Sequence, residues 1–340
     1  MKLNRAFIAG SLFSMGVLVA HAQPAAIQQL QNSQAQMQMA VPELRTGTNA
    51  PELYAGENED IGPQRILRVN GQASAVAAPR RQWFDVTLDS QVFYSDNANF
   101  GAAASRISSA VFVNTAQAAL APAPFDLGPG KFAPVAGFSS QWYNYSSGQM
   151  SPLDFDAQTA FVNLRYFLGN WQFSLGGNYT RLLSQNNYAE TYREWLPNFT
   201  VQRVFPVSDR LAVIVGNVVD YHFTHIPAPF PGYRDDLNDH FDDMVFLSLN
   251  WQVTPHFTVQ PFYRFQYSLY QNDTLSATLP SSTQRTDFLN AVGVTLLYNF
   301  NSHVGLRAFF SYNTKTSDDE FTSHYDEING GIGASLDIRF

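Results

Sequence analysis

Apolar and polar residues alternate along most of the chain after residue 82, and each alternating stretch predicts a β-strand with two unlike faces. The clearest stretch is 328–340, where every second residue from Ile332 to Phe340 is apolar and the residues between are polar or glycine. Such a strand has one face for an apolar environment and one for a polar environment.

Twelve stretches show this alternation, some of them weakly. They are 82–94, 108–120, 135–146, 155–167, 171–183, 195–205, 210–223, 242–253, 257–270, 286–300, 304–314 and 328–340. An even number of antiparallel strands is what a bacterial membrane barrel made of one chain contains.

The connections between the later strands alternate in length. Short turns lie at 168–170, 206–209, 254–256 and 301–303, and the connections between them are long and polar. Membrane barrels have short turns on the periplasmic side and long loops outside. The pattern therefore predicts an all-β fold over 81–340, a transmembrane antiparallel up-and-down β-barrel of about twelve strands.

Composition agrees with this fold. Aromatic residues make up 14% of the chain and charged residues 14%, and aromatic residues recur at both ends of the predicted strands, as in the two interfacial belts of a membrane protein. Mean hydropathy is only −0.18, which fits a barrel because only every second side chain faces lipid. After residue 20 no stretch approaches the 18 apolar residues of a membrane-spanning helix.

The first 22 residues have the form of a signal peptide. Lys2 and Arg5 precede the apolar run 6–20, and Ala20 and Ala22 flank His21 as in a signal-peptidase site, so we expect cleavage after Ala22. The sequence contains no cysteine, which excludes a lipid-modified cysteine at that site and any disulfide framework.

Residues 23–80 form a Gln-rich extension with no sustained period, and we expect it to be mostly irregular and periplasmic. A flexible leader is one interpretation. The extension could instead fill the lumen, or contact peptidoglycan or a periplasmic partner.

The terminal strand, with Leu336, Ile338 and Phe340 in one apolar row, resembles the last strand of porin-like β-barrel proteins of the bacterial outer membrane. The segment 94–100, YSDNANF, also looks like the loop entry of such barrels. The resemblance implies localisation in the outer membrane of a Gram-negative envelope. It further implies recognition of the last strand by the barrel-assembly machinery, and contact with outer-membrane lipid and lipopolysaccharide.

Several polar residues have the parity that faces the lumen, where rings of charge could select ions. These pore-lining candidates are Asp85, Asp89, Asp156, Asn163, Arg165, Arg264, Arg307, Asp337 and Arg339. They could equally pair with one another and fill a closed barrel. Phe161, Phe246, Phe262 and Phe309 share this inward parity, which predicts a narrow or partly filled interior.

Neither an enzyme nor a cofactor is expected. No GxSxG elbow accompanies the histidines, and the acidic run 234–243 lacks the spacing of a calcium loop, so we expect no catalytic and no metal site. A net charge of −8 argues against a nucleic-acid partner. The predicted function is passive diffusion of small hydrophilic solutes or ions. The alternative is a structural or interaction barrel with a plugged lumen, for adhesion, envelope anchoring or export assembly.

Overall fold

The structure, a computed structural model, describes residues 83–100, 105–227, 235–236, 238–271, 285–301, 303–318 and 324–339. The predicted signal peptide (1–22) and extension (23–80) lie outside the described residues, as does Phe340.

Thirteen strands make up most of the described chain. They are β1 (Phe84–Ser95), β2 (Ser109–Leu120), β3 (Phe125–Leu127), β4 (Gly130–Tyr145), β5 (Phe155–Leu168), β6 (Trp171–Ser184), β7 (Glu190–Ser208), β8 (Leu211–His225), β9 (His240–Thr254), β10 (Phe257–Tyr270), β11 (Thr286–Asn299), β12 (Val304–Ser317) and β13 (Tyr325–Arg339). A single 3₁₀ turn, Ser151–Leu153, is the helical element of the described part. Among the described residues no helix is long and apolar enough to cross a membrane.

The sheet closes on itself. From β4 to β13 each strand pairs antiparallel with the next, β13 pairs with β1, β1 with β2, and β2 with β4. The short β3 pairs only with the start of β4. Twelve strands therefore form a closed up-and-down barrel, as predicted, and closure leaves no unpaired edge in it.

The predicted strands occur where the alternation places them, but several are longer. β7 has 19 residues and starts at Glu190 rather than at 195, and β4 starts at Gly130 rather than at 135. The Pro- and Gly-rich segment 121–134 was predicted as a loop. It contains β3 and a tight turn at Gly128. Gly128 has a φ of 61°, a left-handed conformation that glycine adopts without steric strain because it has no Cβ.

The outer surface of the barrel is apolar and exposed. Leu88, Leu175, Leu247, Val292 and Ile332 are among many large apolar side chains that are more than one-third exposed, each on the strand parity opposite to the buried polar residues. Water would not tolerate so wide an apolar surface, whereas a bilayer solvates it. The fold is that of a transmembrane β-barrel.

The two ends of the barrel differ. Short turns join β5 to β6, β7 to β8, β9 to β10 and β11 to β12 at one end, and the remaining connections after β4 lie at the other end. We refer to the end with the short turns as the periplasmic end and to the opposite one as the extracellular end, following the architecture of such barrels.

Candidate functional site

The inner wall of the barrel is the candidate site, because the polar side chains of nearly every strand converge on it. Of the pore-lining candidates, Asp85, Asp89, Arg264 and Asp337 are buried on the inward parity. Asn163, Arg165 and Arg307 share that parity and are partly buried. Arg339 is paired with Asp85 in the strand register.

Asp156 is a correction. It pairs with Trp142, whose side chain is exposed on the outer surface, so Asp156 belongs to the outward parity of β5. It is nevertheless buried, because Gln185 folds over it and donates a hydrogen bond from Nε2 to Asp156 Oδ1 at 2.8 Å. The inward assignment was wrong because the odd residues Asn163 and Arg165 of the same strand fix the opposite parity.

The periplasmic half of the wall is held by polar pairs. Arg307 donates two hydrogen bonds to Asp89, at 2.9 and 2.7 Å, and a third to Gln91 at 2.6 Å. Asp337 accepts a hydrogen bond from Thr87 Oγ1 at 2.6 Å. Arg307 of β12 therefore neutralises Asp89 of β1, and the hydroxyl of Thr87 holds Asp337 of β13 on the wall.

Three of the four phenylalanines that the sequence predicts to face inward lie along the wall. Phe161, Phe246 and Phe262 are register partners of Gly137, Gly216 and Gly293 on the neighbouring strands. A Cβ at Gly137 would meet Phe161 Cζ at 2.6 Å, and one at Gly293 would meet Phe262 Cζ at 2.7 Å. Each ring thus occupies the space that a glycine leaves free, a packing known from glycine–aromatic pairs in sheets. The fourth, Phe309, packs against Phe93 with ring centroids 6.0 Å apart.

The extracellular end of the lumen is filled on one side by apolar side chains, which we call the apolar cluster. It consists of Phe93, Ala98, Val111, Val113, Tyr143, Tyr145, Met150, Phe155, Ala157, Leu182 and Tyr192. Tyr143 stacks on Phe155 at 4.4 Å between ring centroids, with an angle of 12°. The cluster joins the extracellular ends of β1, β2 and β4–β7.

The other side of the same end is lined by ionisable groups, which we call the charged cluster. It comprises Glu194, Asp220, His222, His240, Asp242, Arg285, Asp287, Lys315 and Glu327. Asp287 Oδ2 lies 2.5 Å from Arg285 Nη2 and 2.7 Å from Lys315 Nζ. Glu327 is fully buried and accepts hydrogen bonds from Ser95 Oγ at 2.7 Å and Asn313 Nδ2 at 3.0 Å.

None of the charged cluster was among the pore-lining candidates. Glu194, Lys315 and Glu327 lie one residue outside the predicted strands 195–205, 304–314 and 328–340, and His240 lies two residues before 242–253. Extending each of these four alternations by one residue pair would have included Glu194, His240, Lys315 and Glu327 and placed them on the inward parity.

The solved structures that are similar to this chain share little sequence identity with it. No protein-family model and no curated protein matches the chain. Among solved structures, it is similar to an outer membrane channel from Pseudomonas putida F1, with 12% identity and a TM-score of 0.48 over 79% of this chain and 100% of that chain. It is also similar to the NanC porin, with 12% identity and a TM-score of 0.40 over 73% and 98%. The translocator domain of the autotransporter NalP from Neisseria meningitidis has 14% identity and a TM-score of 0.36 over 80% and 90%. At these values the likenesses identify neither ligand nor activity.

Proposed function

We propose that this protein is a bacterial outer-membrane channel that passes small ions and hydrophilic solutes at low conductance. The observation that carries the proposal is the polar inner wall of a closed barrel with an apolar exterior, the arrangement of water-filled barrels. The phenylalanines support it, because rings that lie over glycines coat the wall instead of crossing the lumen.

Cations should pass more easily than anions. Inward acids outnumber inward bases among the side chains that the structure describes: Asp85, Asp89, Glu194, Asp220, Asp242, Asp287, Glu327 and Asp337 against Lys131, Arg165, Arg264, Arg285, Arg307 and Lys315. Carboxylates that outnumber basic groups on a narrow wall lower the electrostatic barrier for cations and raise it for anions.

Single-channel recording in planar bilayers tests both statements. The purified chain should give steps of low conductance, and a KCl gradient should give a reversal potential of the sign for K⁺ preference. Absence of steps from protein whose barrel is shown to be folded would refute the channel.

A glycine substitution sharpens this test. Gly216→Ala places a methyl group where the Phe246 ring lies; its nearest obstacles are ring atoms of that flexible side chain, so the ring should move toward the lumen and lower the conductance. Gly177→Ala is the matched control, because a Cβ there has no neighbour closer than 3.9 Å. Equal conductance of the two variants would contradict a route past Phe246.

The second candidate is a barrel that does not conduct and serves a structural or interaction role in the envelope. The apolar cluster favours it, because Val111, Tyr143 and Tyr192 are 0–1% exposed and fill part of the extracellular end. Conductance that appears only when Tyr143→Ala opens this cluster would support the second candidate, with Trp142→Ala, on the outward parity, as the control.

A further inference from the structure

The β7–β9 part of the charged cluster brings together two histidines and an aspartate. His222, His240 and Asp242 have side chains that are 4–6% exposed, and one donor atom from each lies within 4.8 Å of the others. We propose that these three residues, with Asp220, bind one divalent metal ion of the Zn²⁺ type. The proposal goes beyond the channel function and does not depend on conductance.

The spacing of the donor atoms fits such an ion. His222 Nε2 lies 3.1 Å from Asp220 Oδ1 and 3.4 Å from Asp242 Oδ2, and His240 Nε2 lies 3.6 Å from Asp242 Oδ1. Four donors placed tetrahedrally at about 2.0–2.1 Å from Zn²⁺ are separated by about 3.3–3.4 Å. His222 Nε2 is therefore already near ligand spacing from both carboxylates, while His240 and Asp242 need a small side-chain adjustment to complete a set of two nitrogens and two oxygens.

The second nitrogen of each imidazole is held by an acceptor. His222 Nδ1 contacts Glu194 Oε1, and His240 Nδ1 lies 2.6 Å from the carbonyl oxygen of Asn238. A carboxylate and a carbonyl can only accept, so each Nδ1 carries a proton. Nε2 of His222 also faces carboxylates, those of Asp220 and Asp242, so a bound ion would take the place of the proton on Nε2. Metal-binding histidines are typically oriented by such a carboxylate or carbonyl.

The charges of the surrounding residues also favour a bound cation. Glu194, Asp220 and Asp242 all contact His222 inside the barrel, and Asp242 also contacts His240. Three carboxylates thus face at most two positive charges, those of the two histidines when both are protonated. Buried carboxylates at such distances repel unless cations compensate them. A divalent ion supplies two positive charges at the point where carboxylate oxygens and Nε2 lone pairs converge.

The site would be structural. All four ligands belong to the protein, which is the pattern of closed metal sites, and they come from β8 and β9 on either side of the connection 226–239. The two rings are stacked with centroids 3.9 Å apart at 9°, so they must rotate apart for the ion to lie in the plane of both. Rotation about χ2 of histidine is soft, which makes this adjustment small.

Titration of the full chain, purified and folded in detergent, with Co²⁺ and with Zn²⁺ tests the proposal. Co²⁺ should bind one per barrel and give the intense visible absorption of a tetrahedral site, and Zn²⁺ should displace it. His240→Gln and Asp242→Asn should weaken binding at least 100-fold, and Glu194→Gln, which only orients His222, about 10–100-fold.

His256→Gln is the matched control, because His256 Nδ1 also contacts a carbonyl oxygen, that of Asn299, but in a periplasmic turn. The control should bind Co²⁺ as tightly as the unmodified chain. A spectrum without tetrahedral cobalt, or equal affinity of the His256 and His240 variants, would overturn the proposal. Should His240→Gln fail to fold, the comparison of Glu194→Gln with the control decides in the same way.

Discussion

The apolar and charged clusters occupy the same end of the same lumen, and both consist of buried inward side chains on neighbouring strands. The apolar cluster fills its half by volume, with rings such as Tyr143 and Phe155 stacked on each other. The charged cluster fills its half with paired groups, such as Asp287 between Arg285 and Lys315. Tyr192 and Glu194 on β7 mark the boundary, because the tyrosine belongs to the first and the carboxylate to the second.

The difference shows that one part of a barrel interior can be filled by apolar packing while another part keeps charged groups that can interact with ions. Tightly packed apolar side chains in the lumen exclude water. The part of the lumen that they fill can be opened only by substitutions that remove side-chain atoms. The charged groups of a buried ion pair can also interact with water or with a mobile ion. The stability of such a pair depends strongly on the presence of both partners. If ions pass the extracellular end, the charged half is their route.

Removing a charged group from the charged cluster should lower the free energy of unfolding more than the other substitutions proposed below. Asp287→Ala leaves Lys315 and Arg285 buried beside each other without their shared carboxylate, and removal of one partner of a buried pair costs about 3–5 kcal/mol. Urea unfolding of the barrel in lipid or detergent measures the free energy of unfolding.

Lys315→Met provides the control for this prediction. It removes the cation but leaves Asp287 hydrogen-bonded to Arg285 Nε at 3.0 Å, so the loss should be clearly smaller than for Asp287→Ala. Equal losses would mean that Lys315 and Arg285 do not share the carboxylate as the structure has them.

Trimming the apolar half should cost less. Leu182 is 1% exposed, and Leu182→Ala should lower the free energy of unfolding by about 3 kcal/mol through lost contacts and the cavity that remains. Leu175→Ala, on the same strand but 57% exposed toward lipid, should cost less because mobile lipid fills the space. The same urea titration compares the two, and a greater loss at Leu175 would reverse the assigned faces of β6.

The barrel itself was predictable because its signal is repeated. A strand such as 257–270 shows its two faces in its own residues, and the same period recurs in eleven other stretches. Closure also follows from a local cause, since the even number of strands and the short turns allow each strand to pair with its neighbour. β3 could not be predicted, because a strand of three residues before Gly128 and Pro129 is too short to show a period.

The contents of the lumen were less predictable, for two physical reasons. Strand ends decide which residues reach the extracellular layer, and a strand predicted to begin at 195 instead of 190 loses Glu194 from the site. Which inward groups meet also depends on the register between strands far apart in sequence, as for Ser95 and Glu327. The alternation within a single strand determines neither the ends of the strand nor its register with a distant strand.

The smallest predicted effect tests the boundary between the two clusters. Tyr192 Oη donates a hydrogen bond to Glu194 Oε1 at 2.9 Å, and both residues are buried. Tyr192→Phe keeps the ring in the apolar cluster but takes one donor from a buried carboxylate, so urea unfolding should show a loss of about 1.5–3 kcal/mol. Tyr143→Phe is the matched control, because Tyr143 Oη donates a long hydrogen bond of 3.4 Å to the neutral Gln141, and it should cost less than about 1 kcal/mol. Since Glu194 also holds His222, the loss at Tyr192 should shrink when combined with His222→Gln, and strict additivity would show that the two clusters are energetically separate.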